Sequence, residues 1–116
     1  MFAKKIIFTI FLFILSVSNA QSYCETTKCI AKIKTLYPTG LENGAIYIQP
    51  DESSLSALNC APNEGAFLTL HHSHPNYTEI YAIANIAIAL NKTVTMRIVE
   101  NSDGCTLAYM MIYNYQ

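Results

Sequence analysis

Apolar and polar positions change rhythm several times along the chain. Residues 6–17 form an almost unbroken apolar run behind Lys4 and Lys5, and Ser18-Asn19-Ala20 follow it. Beyond that point the pattern becomes periodic. Over residues 30–37, Ala31, Ile33, Thr35 and Tyr37 alternate with Lys32 and Lys34. A period of two predicts a half-buried strand, with those four residues on one face and the two lysines on the other. A second short strand is predicted at 45–49, where Ile46 and Ile48 share a face. A third is predicted at 66–71, where Leu68 and Leu70 oppose Phe67 and Thr69. A β-branched fourth strand spans 93–100 and a fifth spans 105–115. Pro38-Thr39-Gly40, Glu42-Asn43-Gly44 and a hairpin turn at Asn101-Ser102-Asp103-Gly104 punctuate them. Residues 50–63 read as a polar connection.

Between the third and fourth strands the period lengthens to that of a helix, predicted over residues 77–90. Pro75 suits its entrance, and Asn76 followed by Glu79 resembles a capping box with Asn as the cap. From Ile80 to Leu90 the one polar residue is Asn85. A surface helix on a small domain normally keeps a polar face. One helix on five strands cannot bury two apolar faces, so the second face is expected to meet another subunit. Tyr81, Ala84 and Ile88 are the interface candidates. The alternative is that the alanines are tolerated at the surface, because alanine is a mild hydrophobe and a strong helix former.

Composition sharpens this picture once the first segment is set apart. A basic start, a short apolar run and small residues before a cut are the layout of a secretory signal peptide, assigned to residues 1–20. A bilayer span would need about 20 apolar residues, so stable membrane insertion is not expected. The expected mature domain is 21–116, secreted or periplasmic. It keeps all eight Tyr but a single Phe, Phe67, and holds five basic against eight acidic residues, a net charge of −3. That balance excludes nucleic acid as a natural partner, since little is gained by counterion release.

Four cysteines then enter an oxidising compartment: Cys24, Cys29, Cys60 and Cys105. An even count in a short secreted chain reads as two disulfides, with three possible pairings. Cys24–Cys29 with Cys60–Cys105 is favoured, because the first pins the N-terminal arm and the second ties a strand start to a distant hairpin. A rival reading makes Cys24-x4-Cys29 and His71, His72 and His74 zinc ligands, but the spacing fits no common zinc pattern. Neither a metal nor a cofactor is expected.

Candidate chemistry is sparse. Three histidines within four residues can hold a metal or sense pH, yet more often such a group is a polar loop between strand and helix. No nucleophile elbow, His-Glu-x-x-His pair or phosphate loop occurs. Glu79, Glu100 and Asp103 have no partner visible in sequence for acid–base work, so an enzyme is not expected. Asn76-Tyr77-Thr78 and Asn91-Lys92-Thr93 match the glycosylation pattern. Tyrosine is the stronger clue. Tyr109, Tyr113 and Tyr115 fall at period two on the fifth strand, beside Leu107 and Met111. An apolar ring with a hydroxyl suits stacking on sugars, and these three are the candidate glycan contacts.

The order of three strands, a helix and two strands is that of the OB-fold, a five-stranded Greek-key barrel with one α-helix between strands three and four. The fold class expected is therefore mainly β. Phe67-Leu68-Thr69-Leu70, the helix at 77–90 and Val94-Thr95-Met96-Arg97-Ile98, with a Cys after the next turn, resemble the B subunits of bacterial AB5 toxins. The similarity is to the subtilase-cytotoxin and pertussis-like branch and covers roughly residues 45–113. It implies a secreted, disulfide-bearing OB-fold that assembles as a pentamer with its helices around a central pore. It also implies a host glycan or glycoprotein, often sialylated, as receptor, and a separate catalytic A subunit as cargo. The resemblance assigns no binding residue. The competing expectation is a stand-alone secreted or periplasmic OB module that binds a protein, as an inhibitor or envelope factor would.

Overall fold

The computed structural model describes residues 22–41, 43–51 and 54–113. Residues 1–20, expected to be a signal peptide, and Tyr115 lie outside the described residues. Among the described residues, nine short strands, one helix and a single 3₁₀ turn make up a mainly β domain. The strands are β1 (Tyr23–Cys24), β2 (Lys28–Ala31), β3 (Ile33–Pro38), β4 (Ile46–Pro50), β5 (Ala61–Pro62), β6 (Leu68–Leu70), β7 (Val94–Ile98), β8 (Asp103–Gly104) and β9 (Leu107–Ile112). Helix α1 spans Tyr77–Ala89 and the 3₁₀ turn Leu55–Ala57.

Two open antiparallel sheets carry the fold, ordered β1-β2-β7-β9 and β3-β4-β6. A parallel pair, β5 with β8, lies beside them. The strand expected at 30–37 is one path broken at Lys32, so that β2 pairs with β7 while β3 pairs with β4. The connection at 50–63 is not featureless, since it holds the 3₁₀ turn, buried Leu58 and β5. The turn expected at 101–104 is likewise half strand, because Asp103 and Gly104 pair with Ala61 and Pro62.

The core lies between the inward faces of the two sheets and the helix. Ile46, Ile48, Leu68, Leu70, Met96 and Leu107 are wholly buried there, and Ile80, Ala84 and Ala87 close it from α1. Burying each large aliphatic side chain stabilises the fold by about 1.5–3 kcal/mol. The helix ends in a left-handed Asn91 (φ 53°), with Lys92 N–H donating to Ala87 O at 2.8 Å and Asn91 N–H to Ile88 O at 3.2 Å. This is the paired hydrogen-bond closure typical of helix C-termini.

Three expectations of local geometry are corrected. Asn76 makes no side-chain capping bond, so the capping box does not form. Thr35 and Tyr37 do not share a face with Ala31 and Ile33. The register slips between Ile33 and Thr35, and the extra residue, Lys34, makes a bulge that turns Leu36 inward and Tyr37 outward. Leu107 does not share a face with Tyr109, for the same reason. A second slip opposite Arg97 and Ile98 leaves Ala108 unpaired in the ladder. Leu107 and Met110 then point inward, three residues apart, while Tyr109 and Met111 are exposed.

The two sheets are joined along one seam. Thr69 N–H donates to Cys105 O at 3.0 Å, and the Thr69 hydroxyl donates to Gly104 O at 2.7 Å while accepting from Asn63 Nδ2 at 2.6 Å. A single parallel bridge, Thr69 with Thr106, is the strand pairing between β6 and the β9 side, and no closed barrel is formed among the described residues. Both disulfides have the favoured pairing, Cys24–Cys29 and Cys60–Cys105. The second, closing 45 residues, locks this seam. Chain entropy assigns it about 4 kcal/mol and the shorter bridge about 2 kcal/mol.

Cys60→Ser and Cys105→Ser should each lower unfolding free energy by about 3–4 kcal/mol in non-reducing urea titrations; unequal losses would mean that something other than the shared bridge dominates. Gly104 lies at φ +77°, and a Cβ there would sit 2.8 Å from Asn63 Nδ2 and 3.0 Å from Thr69 Oγ1. Gly104→Ala is therefore expected to cost about 1–3 kcal/mol in the same titration.

Candidate functional site

The histidines separate into three unrelated roles. His74 Nδ1 accepts from Asn76 N–H at 2.9 Å, and its Nε2 lies 2.7 Å from Ala108 O. The accepting Nδ1 leaves the proton on Nε2, which donates to the carbonyl that the Ala108 bulge removes from the ladder. His74 thus ties the helix entrance to β9. His71 Nε2 contacts Thr106 Oγ1 at 3.2 Å. His72 is exposed, with its ring 4.6 Å from that of Tyr77. The hydroxyl of Tyr77 donates to Gly44 O at 3.0 Å. Among the described residues no group of three or more His, Cys, Asp or Glu is placed to hold a metal ion. The zinc alternative fails on its cysteines, since both Cys24 and Cys29 are spent in a disulfide.

Two outward sheet faces carry the exposed tyrosines. On the β1-β2-β7-β9 sheet, register places Tyr23, Ile30, Thr95 and Met111 in one row. The next row is Lys28, Arg97 and Tyr109. Directly opposed residues share a face, so Tyr109, 42% exposed, stands beside a guanidinium and, one strand further, an ammonium. Lys28 also pairs with Glu25 at 3.5 Å. Tyr113 is half-buried past the end of β9, its hydroxyl 3.4 Å from Thr95 Oγ1. Of the expected glycan contacts, Tyr109 and Tyr113 are therefore placed near this face.

The β3-β4-β6 sheet presents an aromatic cluster that the sequence reading missed. Tyr37, Tyr47 and Thr69 form one row, and Thr35 and Gln49 the row beside it. Tyr37 meets Tyr47 edge-on at 5.9 Å and Phe67 at 6.4 Å, while Tyr47 and Phe67 stack at 5.7 Å. The available signal was alternation, since Tyr47 sits between Ile46 and Ile48, and Phe67 precedes Leu68. Without the bulge at Lys34, Tyr37 reads as facing the core.

Helix α1 packs its Ile80–Ala84–Ala87 face on the core. Of the expected interface residues, Ala84 is fully buried within the chain, Tyr81 is half-buried and Ile88 is exposed. Ile86 and Leu90 are exposed on the opposite shoulder, at 49% and 61%. An open groove of about 460 Å³ runs beside the Cys60–Cys105 bridge, lined by Leu58, Asn59, Ala61, Asn101, Ser102 and Asp103. Among the described residues no helix is long and apolar enough to cross a membrane. The two disulfides are consistent with an extracytoplasmic location. Comparison with protein-family models, curated proteins and solved structures gives no match.

His74→Ala is expected to destabilise the domain by about 1–3 kcal/mol, because a backbone donor and a bulged carbonyl both lose their partner. His72→Ala should stay within about 0.5 kcal/mol, as exposed sites do. Chemical denaturation of the two variants side by side checks the pair.

Proposed function

We propose that this chain is the secreted, non-catalytic binding subunit of a ring-forming assembly. In this reading it resembles the B subunits of AB5 toxins, binds acidic cell-surface glycans and carries a separate active chain. Several features support an OB-fold as its scaffold. The bent path at 28–38 supplies one long strand shared between sheets, and the helix falls between the third and fourth long segments. The β6 and β9 sides meet through a parallel bridge at Thr69 and Thr106.

The observation that carries the assembly is the helix. Its inner face fills the core, and two separate apolar shoulders stay exposed. One is marked by Ile88, the other by Ile86 and Leu90. Two different shoulders on one helix suit a head-to-tail contact, in which each copy offers a different surface to each neighbour. Such contacts close into rings when the rotation between neighbours divides a full turn. No charge interrupts the helix between Ile80 and Ala89, so neighbouring copies would bury no unpaired ion there.

The Lys28–Arg97–Tyr109 row supports the ligand class. An aromatic ring offers a stacking plane, and a guanidinium beside it can take a carboxylate in bidentate fashion. That combination fits a sialylated or otherwise acidic sugar. Tyr113 flanks it, and Tyr115 lies outside the described residues.

Light scattering on the disulfide-bonded protein should give a mass near five chains; a monomer at all concentrations would sink the assembly. Ile88→Asp should weaken association about 30-fold, equivalent to about 2 kcal/mol at a contact centre. On a glycan array the ring should retain sialylated glycans, and Arg97→Ala should remove them without changing mass. An assembled ring that retains no sugar would point instead to a protein partner.

A further inference from the structure

The aromatic cluster on the β3-β4-β6 sheet is separate from the Tyr109 row and lies on a different sheet. Its outward residues are Thr35, Tyr37, Gln49, Tyr47, Phe67 and Thr69, none of them charged. Thr69 and Tyr47 are buried beneath the others, at 0% and 9% exposure, and form a floor. Tyr37 rises from that floor at 48% exposure, held edge-on by Tyr47 and Phe67. Two perpendicular contacts fix the ring while leaving much of its surface to solvent. A stacking partner would therefore meet a preset plane and lose little ring freedom on binding.

Two amides share this sheet face with the cluster: Gln49 in the row beside Tyr37 and Tyr47, and Asn63 opposite Phe67. The Thr35 hydroxyl donates to Gln49 Oε1 at 2.8 Å. This holds the Gln49 amide in place, and among the described residues its NH₂ has no acceptor. Asn63 spends its NH₂ on Thr69 Oγ1, and among the described residues its carbonyl oxygen has no side-chain or backbone donor. The face thus offers one held amide donor and one held amide acceptor. An ionic ligand would find no counter-charge in these rows. A purely apolar one would strand both amides, and a covered amide left unpaired opposes binding. A sugar hydroxyl both donates and accepts, and a pyranose also carries a contiguous C–H face for an aromatic ring.

We propose that this sheet face is a second saccharide site, which takes a neutral pyranose stacked on Tyr37 with the Gln49 and Asn63 amides as its hydrogen-bonding partners. It does not depend on the acidic-glycan site or on the ring. A face of this size with one exposed plane holds a single sugar residue weakly.

Saturation-transfer NMR with methyl β-D-galactopyranoside at millimolar concentration tests it on the disulfide-bonded protein. Transfer should be strongest at the sugar protons of the C3–C5 face. Tyr37→Ala should weaken binding about tenfold, the scale of losing one stacking plane, while Tyr37→Phe keeps it. Tyr109→Ala should leave it unchanged, and Tyr37→Ala should leave capture of sialylated glycans unchanged, so the two sites fail independently. Gln49→Ala, which keeps every ring, should also weaken binding and serves if Tyr37→Ala fails to fold. Absence of transfer to the native protein, or transfer that survives both Tyr37→Ala and Gln49→Ala, overturns the proposal.

Discussion

The hydroxyl of Thr69 is where the two sheets are held to one another. It accepts from Asn63 and donates to Gly104, while the backbone of the same residue donates to Cys105. Thr69, Gly104 and Cys105 are buried, and an unpaired polar atom of theirs would cost more than the bonds yield. The seam therefore dictates its neighbours. Gly104 must lack a Cβ, and Cys105 must accept a left-handed backbone at φ 49°. Such a conformation costs a non-glycine residue about 1–3 kcal/mol. The Cys60 bridge offsets that cost by restraining the unfolded chain.

From that seam the outer faces follow. Thr69 occupies the same row as Tyr47 and Tyr37, so the contact joining the sheets also builds the floor of the aromatic cluster. On the other sheet, the bulge at Ala108 turns Tyr109 out beside Arg97. His74 then satisfies the carbonyl released by the bulge. A residue in a loop before the helix thereby helps to hold the strand that displays the tyrosine. This is a structural use of histidine, and it explains why the three histidines face different partners.

Much of this was legible in the sequence. The helix lies within a residue of its expected span, and the favoured cysteine pairing is the one formed. The apolar positions of β4, β6 and β7 lie inward as alternation requires. What alternation could not reveal was where it breaks. A single inserted residue at Lys34 or Ala108 inverts the facing of everything beyond it. The trace of each bulge is a three-residue spacing of inward residues, Ile33 to Leu36 and Leu107 to Met110, inside a stretch that otherwise repeats every two. The carbonyls that the Thr69 hydroxyl and the His74 ring meet, Gly104 O and Ala108 O, lie 35 and 34 residues away, and no local motif encodes them. Asn76 looked like a cap because its spacing to Glu79 fits, yet the nearby His74 ring takes its backbone N–H instead.

The placement of charge distinguishes the two outer faces. Few charges are available to a domain with five basic and eight acidic residues after the first twenty, and they are absent from the middle of the helix and from the aromatic rows. Basic residues on the β2-β7 rows stand beside Tyr109, whereas Tyr37 stands among amides and hydroxyls. Two exposed tyrosines of similar accessibility thus occupy opposite electrostatic settings. Ring stacking alone would not discriminate between ligands at the two faces. The neighbours would: cations select for acidic groups, and fixed amides reject any ligand that leaves them unpaired. If both proposed sites operate, the chain reads an acidic and a neutral sugar on different sheets, and the apolar shoulders of the helix remain free to join copies.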